Sequence, residues 1–190
     1  MVREIIDFNG DRFLAICFWR ETEESGFLSN WYKSEFSITT FEGETFTFNC
    51  AEQYLMWQKA LLFHDDETAK EIISTSYDPK QYKVLGRKVK NFNQELWDYN
   101  KVSIMEDALY YKFTQNDNLK AALIKTNGFY LVEASPFDKI WGVGLEASND
   151  AIIHQPEWRG QNFLGEALMK IRHKIIQEEG VKLNGTSIPL

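Results

Sequence analysis

Cysteine is scarce in this chain. Cys17 and Cys50 are the only two in 190 residues, with no paired spacing and no motif shared with a histidine. A disulfide framework is therefore not expected, and reduced thiols are. Histidine is nearly as rare: His64, His154 and His173 stand singly, none at ligand spacing with another, so no metal site is expected. A surplus of basic residues is missing as well. Lysine and arginine number 21 against 28 aspartates and glutamates, for a net charge of −7. That balance excludes binding nucleic acid through general electrostatics, but leaves room for a local basic pocket that holds a small phosphate. The longest apolar run, Phe13 to Trp19, is far too short to span a bilayer, and no charged-then-apolar leader opens the chain. A cytoplasmic protein with no membrane partner is the expectation. There is no glycine-rich phosphate loop, dinucleotide fingerprint, nucleophile elbow or internal repeat, and no cofactor is expected.

What is present is an ordinary globular composition rich in rings, 44% hydrophobic and 15% aromatic. One domain is expected over residues 1–180, followed by a tail, residues 181–190. Phe13 to Trp19 reads as a buried strand. Phe36, Ile38 and Thr40 alternate, Glu42-Gly43-Glu44 turns, and Phe46 and Phe48 alternate again, the pattern of a β-hairpin. With Phe129 to Val132 these make a small sheet. Helices are expected from Asn49 or Cys50 to about Phe63 with Asn49 as N-cap, from Glu67 to Ser74, after Pro79 with Gly86 closing it, from Asn93 or Gln94 to about Gln115, from Leu119 to Lys125, and from Phe163 to about Glu179 with Asn162 as N-cap. The fold class is α+β and helix-rich, with a small β-sheet.

Candidate functional residues cluster on three stretches. The loop after the strand Phe129 to Val132, Glu133-Ala134-Ser135-Pro136-Phe137-Asp138-Lys139-Ile140-Trp141-Gly142-Val143-Gly144, mixes carboxylates, a lysine, aromatics and glycines. That is poor core material and the kind of segment that carries sites. The helix from Cys50 is apolar nearly all round, yet Glu52 and Lys59 lie seven residues apart, about 20° in rotation and roughly 10 Å along one face. Either this face is the solvated one, or the two charges, framed by Leu55 and Met56, form a pocket wall. Arg87-Lys88-Val89-Lys90 is the one dense basic cluster, read as surface solvation or as a phosphate clamp led by Arg87, whose planar fork matches phosphate oxygens. Trp97 shares a helical stripe with Lys101, Ile104 and Ala108; such a tryptophan is usually core, and otherwise a stacking platform. Backbone N–H groups at the start of the last helix are further candidates for an anion.

The chain resembles the NADAR family, the YbiA-like proteins associated with NAD and ADP-ribose. The resemblance is carried by Leu28-Ser29-Asn30-Trp31-Tyr32; Glu52-Gln53-Tyr54 with Gln58-Lys59-Ala60; Leu85-Gly86-Arg87; Trp97; Leu131-Val132-Glu133-Ala134 with Asp138 and Trp141-Gly142-Val143-Gly144; and Trp158-Arg159-Gly160-Gln161-Asn162-Phe163-Leu164-Gly165 with Leu168-Met169 and Arg172. It covers about residues 13 to 177. It implies metal-independent hydrolysis of the bond between ribose C1 and nitrogen, in ADP-ribosylated guanine or in ribosylamine-type pyrimidine phosphates of riboflavin synthesis. It also implies a catalytic set of Glu52, Trp97 and Asp138. Many relatives carry histidine after the helix glutamate; here that residue is Gln53, which cannot shuttle a proton.

The chemistry suits these residue types. Breaking a ribosyl C–N bond builds positive charge on the sugar and negative charge on the departing heterocycle, a course managed with carboxyl groups. Asp138 is expected on the water and oxocarbenium side and Glu52 as the acid, with the reverse assignment also open. Trp97 would stack on the heterocycle, Lys59 and Arg87 hold phosphate, and Asn30 and Asn162 bind ribose hydroxyls or phosphate. Glu133 would bind ribose or lock Lys59, and Lys101, Trp141 and Gly142 complete the binding set. The alternative is a non-catalytic module that senses ADP-ribose or NAD. Modified nucleic acid would be gripped only through its flipped, ADP-ribosylated base.

Overall fold

The computed structural model describes residues 1–180, so the expected tail, residues 181–190, lies outside the described residues. In chain order the elements are β1 (Val2–Ile6), β2 (Arg12–Phe18), β3 (Phe36–Thr39), β4 (Thr45–Phe48), α1 (Ala51–Leu62), α2 (Asp66–Ser74), α3 (Pro79–Lys88), α4 (Gln94–Thr114), α5 (Asp117–Lys125), β5 (Tyr130–Glu133) and α6 (Phe163–Glu178). This is the expected α+β class. The chain divides into two compact bodies, one made of Met1–Ser29 with the segment from Lys120 onward, the other Asn30–Leu119.

The first body holds a three-stranded sheet in the order β1-β2-β5. β1 pairs antiparallel with β2 through the turn at Asp7–Gly10. β5 runs parallel to β2, with Ala15 opposite Tyr130 and Phe18 opposite Glu133. Ile5, Ala15, Cys17, Val132, Val143, Leu145 and Ile152 close over one another as its core. Arg172 of α6 reaches the carbonyls of Thr126 (2.8 Å) and Phe129 (3.0 Å), fixing the turn that feeds β5. Residues 146–157, irregular by sequence, contain two short 3-10 turns, Asp150–Ile153 and Gln155–Glu157.

The second body is built on α1, against which α2, α3 and α4 pack. The β3–β4 hairpin forms as the alternation predicts, with Gly43 at φ +88 in its turn, a conformation that L side chains avoid. It is a separate two-stranded sheet and does not join β5, which corrects the single small sheet expected. α1 is buried along most of its circumference, and a ring cluster of Phe36, Phe48, Tyr54 and Trp57 locks the hairpin to it. Asp65 caps α2, accepting from Thr68 N (3.2 Å), Thr68 Oγ1 (2.8 Å) and Lys90 N (2.9 Å).

Three local expectations change. Gly86 does not end α3 but lies inside it, buried against α1, where a β-carbon would fall 2.0 Å from Met56 Sδ. The absence of a side chain there sets the approach of the two helices. The N-cap of α1 is Cys50, without a side-chain cap, and Asn49 instead donates its backbone N–H (2.7 Å) and its Nδ2 (3.1 Å) to Gln53 Oε1. In α4 the buried stripe is Lys101, Met105, Ala108, Leu109, Lys112 and Phe113, and Trp97, one turn nearer the start, is only half-buried.

Candidate active site

The residues singled out by sequence fall into two sets, one in each body. In the second body Glu52 sits in the first turn of α1 with 3% of its surface exposed, which removes the solvated-face reading. Its Oε2 accepts from Asn30 Nδ2 at 2.6 Å, and its backbone N–H donates to Asn30 O at 2.9 Å. Asn30, 7% exposed, therefore satisfies one orphan donor at the helix start and orients the carboxylate at the same time. At 2.6 Å this is a short hydrogen bond. Asn30, expected to meet substrate, gives one amide hydrogen to Glu52.

Lys59, two turns further along α1, places its ammonium 4.3 Å from the centre of the Phe92 ring and 5.3 Å from that of Trp97. Burial lowers its pKa, the Arg87 charge lowers it further, and the Glu52 charge opposes both. Glu52, Lys59, Arg87 and Trp97 thus share one neighbourhood. Arg87 itself is exposed in the last turn of α3. Two cations set side by side repel each other, and an anion lodged between them would relieve that repulsion. Lys101 is buried and bonds Asp98 Oδ1 at 2.5 Å, one helical turn away. Phe92, which the sequence reading passed over, completes the cage around Lys59; its position between the basic cluster and α4 was the one available signal.

Gln53 is turned to structural use. Fully buried, it accepts from Asn49 through Oε1 and donates through Nε2 to Ile72 O at 2.9 Å, tying α1 to α2. Cys50 and Cys17 are buried thiols whose pKa burial pushes up, to about 12 and about 11, so neither is a nucleophile near neutral pH.

In the first body the loop after β5 is held by its own carbonyls. Asp138 Oδ1 accepts from Ile140 N (2.9 Å) and Trp141 N (2.8 Å), closing a tight turn. Gly142 is packed so closely that a β-carbon would lie 2.8 Å from Glu133 O and 3.0 Å from Asp138 O. Phe163 N and Leu164 N donate to Ile140 O and Trp141 O, so these N–H groups at the start of α6 meet loop carbonyls where an anion was expected. Asn162 adopts a left-handed backbone, φ 54, and does not cap α6 with its side chain. Its Oδ1 accepts from Glu133 N (2.9 Å) and its Nδ2 donates to Leu131 O (2.9 Å), imitating a neighbouring strand along β5. It therefore positions Glu133, which is buried at the strand end. Trp141 is half-buried.

Among the described residues no three His, Cys, Asp or Glu side chains are grouped to hold a metal ion, and no helix is long and apolar enough to cross a membrane.

Fold and site together define a YbiA-type α+β domain. The solved structure of the Escherichia coli protein YbiA superimposes with a TM-score of 0.69 at 26% identity, covering 90% of this chain and 89% of that one. The chain belongs to the NADAR domain family, whose model matches residues 17–176. It is 44% identical over 147 residues to the N-glycosidase R617 of Acanthamoeba polyphaga mimivirus, covering 77% of this chain and 85% of that protein. It is 35% identical over 176 residues to Protein irg-1 of Caenorhabditis elegans, covering 92% and 82%.

Proposed function

We propose that this protein is a metal-independent N-glycosidase that hydrolyses the bond between ribose C1 and the nitrogen of a heterocycle in a phosphate-bearing riboside. The observation that carries the reading is Glu52: a carboxylate buried at a helix start, oriented by Asn30 at 2.6 Å, with Lys59 of the same helix held against Trp97. The relative named an N-glycosidase supports the same class.

Water adds to C1, the C1–N bond breaks, one carboxylate takes the proton of the water, and the departing nitrogen takes a proton from an acid. Asn30 Nδ2 donates to Glu52 Oε2, and a donated hydrogen bond favours the carboxylate form. Glu52 is therefore assigned to the oxocarbenium and water side, the reverse of the order expected from sequence. Trp97 stacks on the heterocycle and Lys59 with Arg87 holds phosphate.

Two substrates present these features, ADP-ribosylated guanosine and the ribosylaminopyrimidine phosphates of riboflavin synthesis. Mass spectrometry of products, with no metal added, tests the proposal. Release of free guanosine with ADP-ribose, or of ribose 5-phosphate, is the expected result. ADP-ribose bound without release of any base would replace the proposal with the sensor reading.

A further inference from the structure

The segment from Asn30 to Glu35 belongs to neither helix nor strand. No ladder of backbone bonds fixes it, so a few individual bonds decide where it lies. At one end Asn30 meets Glu52 twice, accepting from Glu52 N through its carbonyl (2.9 Å) and donating from Nδ2 to Glu52 Oε2 (2.6 Å). Further along, Ser34 donates its backbone N–H to Asn49 O (2.9 Å) and its Oγ hydrogen to Tyr32 O (3.2 Å). Between these points the Trp31 carbonyl accepts from the Tyr77 hydroxyl at 2.7 Å, across 46 positions of sequence. That is the length of a well-formed O–H···O bond.

Tyr77 stands on a fixed base. It lies in the connection between α2 and α3, where the hydroxyl of the buried Tyr82 bonds Thr75 O (3.2 Å) and Ser76 O (3.1 Å) just before it. Just after it Asp78 caps α3, accepting from Lys80 N and Gln81 N at 3.1 Å each, and Pro79 opens the helix. α2 is tied back to α1 by the bond from Gln53 Nε2 to Ile72 O. The Tyr77 hydroxyl thus closes a ring of contacts that starts and ends on α1, the helix that carries Glu52. A working side chain has to be held within about 0.5 Å of its productive geometry. Asn30 meets that demand only where the turn around it is held.

We propose that Tyr77 is a positioning residue for the reaction: its hydroxyl holds the Asn30–Trp31 turn in the place from which Asn30 orients Glu52. It touches neither Glu52 nor substrate and acts through the Trp31 carbonyl alone. The proposal rests on the N-glycosidase reading, with Glu52 as its working carboxylate.

Tyr77→Phe tests it, because the variant keeps the ring, 5.5 Å from the Lys33 ammonium, and loses only the hydroxyl. Base release from ADP-ribosylated guanosine and from ribosylaminopyrimidine phosphate is measured in a double-mutant cycle with Asn30→Ala. The expected result is a fall in kcat of about two- to tenfold, the scale of one neutral hydrogen bond, with KM unchanged. In the Asn30→Ala background the same substitution is expected to cost nothing further. An equal loss in both backgrounds, a change in KM alone, or an unchanged kcat overturns the proposal. Amide hydrogen exchange supplies a readout that needs no turnover. The Glu52 N–H is bonded to Asn30 O, so its exchange reports the turn. Tyr77→Phe is expected to speed exchange at Glu52 by about two- to tenfold and to leave Met56 and Ala60, further along α1, as in wild type. Equal acceleration at all three would show general destabilisation and overturn the positioning role. A wild type that releases base from neither substrate overturns the glycosidase reading, and the exchange pattern then decides by itself whether Tyr77 holds the turn.

Discussion

Replacing Asn30 by alanine removes one donor from a buried carboxylate and leaves the bond from Glu52 N to the backbone carbonyl at position 30 in place. The bond lost is 2.6 Å long between two buried groups. A hydrogen bond to a charged group contributes about 1.5–3 kcal/mol. If that is expressed in the transition state, kcat falls by about 10- to 150-fold. The pH dependence carries the sharper information. The amide donates to Glu52, so without it the acid limb of the kcat profile is expected to move to higher pH. Lys59, which senses the Glu52 charge, is itself untouched by the substitution. The assay is base release across pH 4–9, with thermal melting recorded on the same samples. A lower melting temperature with an unmoved limb and unchanged kcat would reduce Asn30 to a structural part and refute the reasoning. Movement of the alkaline limb instead would return Glu52 to the acid role.

Asp138→Asn keeps the Oδ1 acceptor for Ile140 N and Trp141 N and removes only the charge, whereas Asp138→Ala removes both. The asparagine variant is expected to melt like wild type and the alanine variant at lower temperature, since only alanine takes the acceptor from the turn; equal melting of all three proteins would show that the turn does not need Oδ1. Gly86→Ala drives a methyl into Met56 Sδ and is expected to cost about 1–3 kcal/mol in denaturant titration. Met56→Ala in the same chain should recover most of that loss, and no loss in the single variant would show that Met56 swings aside. Lys112 is wholly buried in α4 against the Tyr32 and Phe113 rings, and burial lowers its pKa from 10.5 to about 7. The unfolded chain therefore binds the extra proton between about pH 7 and 10.5, so stability from this group rises with pH across that window, by at most about 1.4 kcal/mol per unit. Lys112→Met should flatten the rise between pH 7 and pH 9 in urea titrations; an identical slope in the variant would contradict it.

Periodicity revealed the parts of the fold that depend on neighbours in sequence. The alternation of Phe36, Ile38, Phe46 and Phe48 gave the hairpin, and the all-round apolar surface of residues 51 to 63 gave a buried helix. Pairing between distant segments left no such trace. β1 is short, with Ile5 its one buried residue, and the parallel register of β2 with β5 joins residues more than a hundred positions apart. Glycine and asparagine misled for a related reason, because their local roles in turns and caps are the common ones. Gly86 serves a helix crossing, and Asn162 spends its side chain on β5. At the candidate site the helical spacing put Glu52 and Lys59 on one face of α1, and the structure adds the rings of Phe92 and Trp97 beside Lys59. The bonds from Asn30 to Glu52 and from Gln53 to Ile72 were not legible, since hydrogen-bond direction is a property of the packed backbone.

The central claim is that Glu52 does chemistry. Glu52→Gln preserves shape and removes the charge, so purified wild type and variant, incubated without added metal with ADP-ribosylated guanosine and with ribosylaminopyrimidine phosphate, test it directly by mass spectrometry of the released base. The account predicts release by wild type from at least one substrate and none by the variant, with ADP-ribose or ribose 5-phosphate still bound by the variant. Release by the Glu52→Gln protein at the wild-type rate would contradict it.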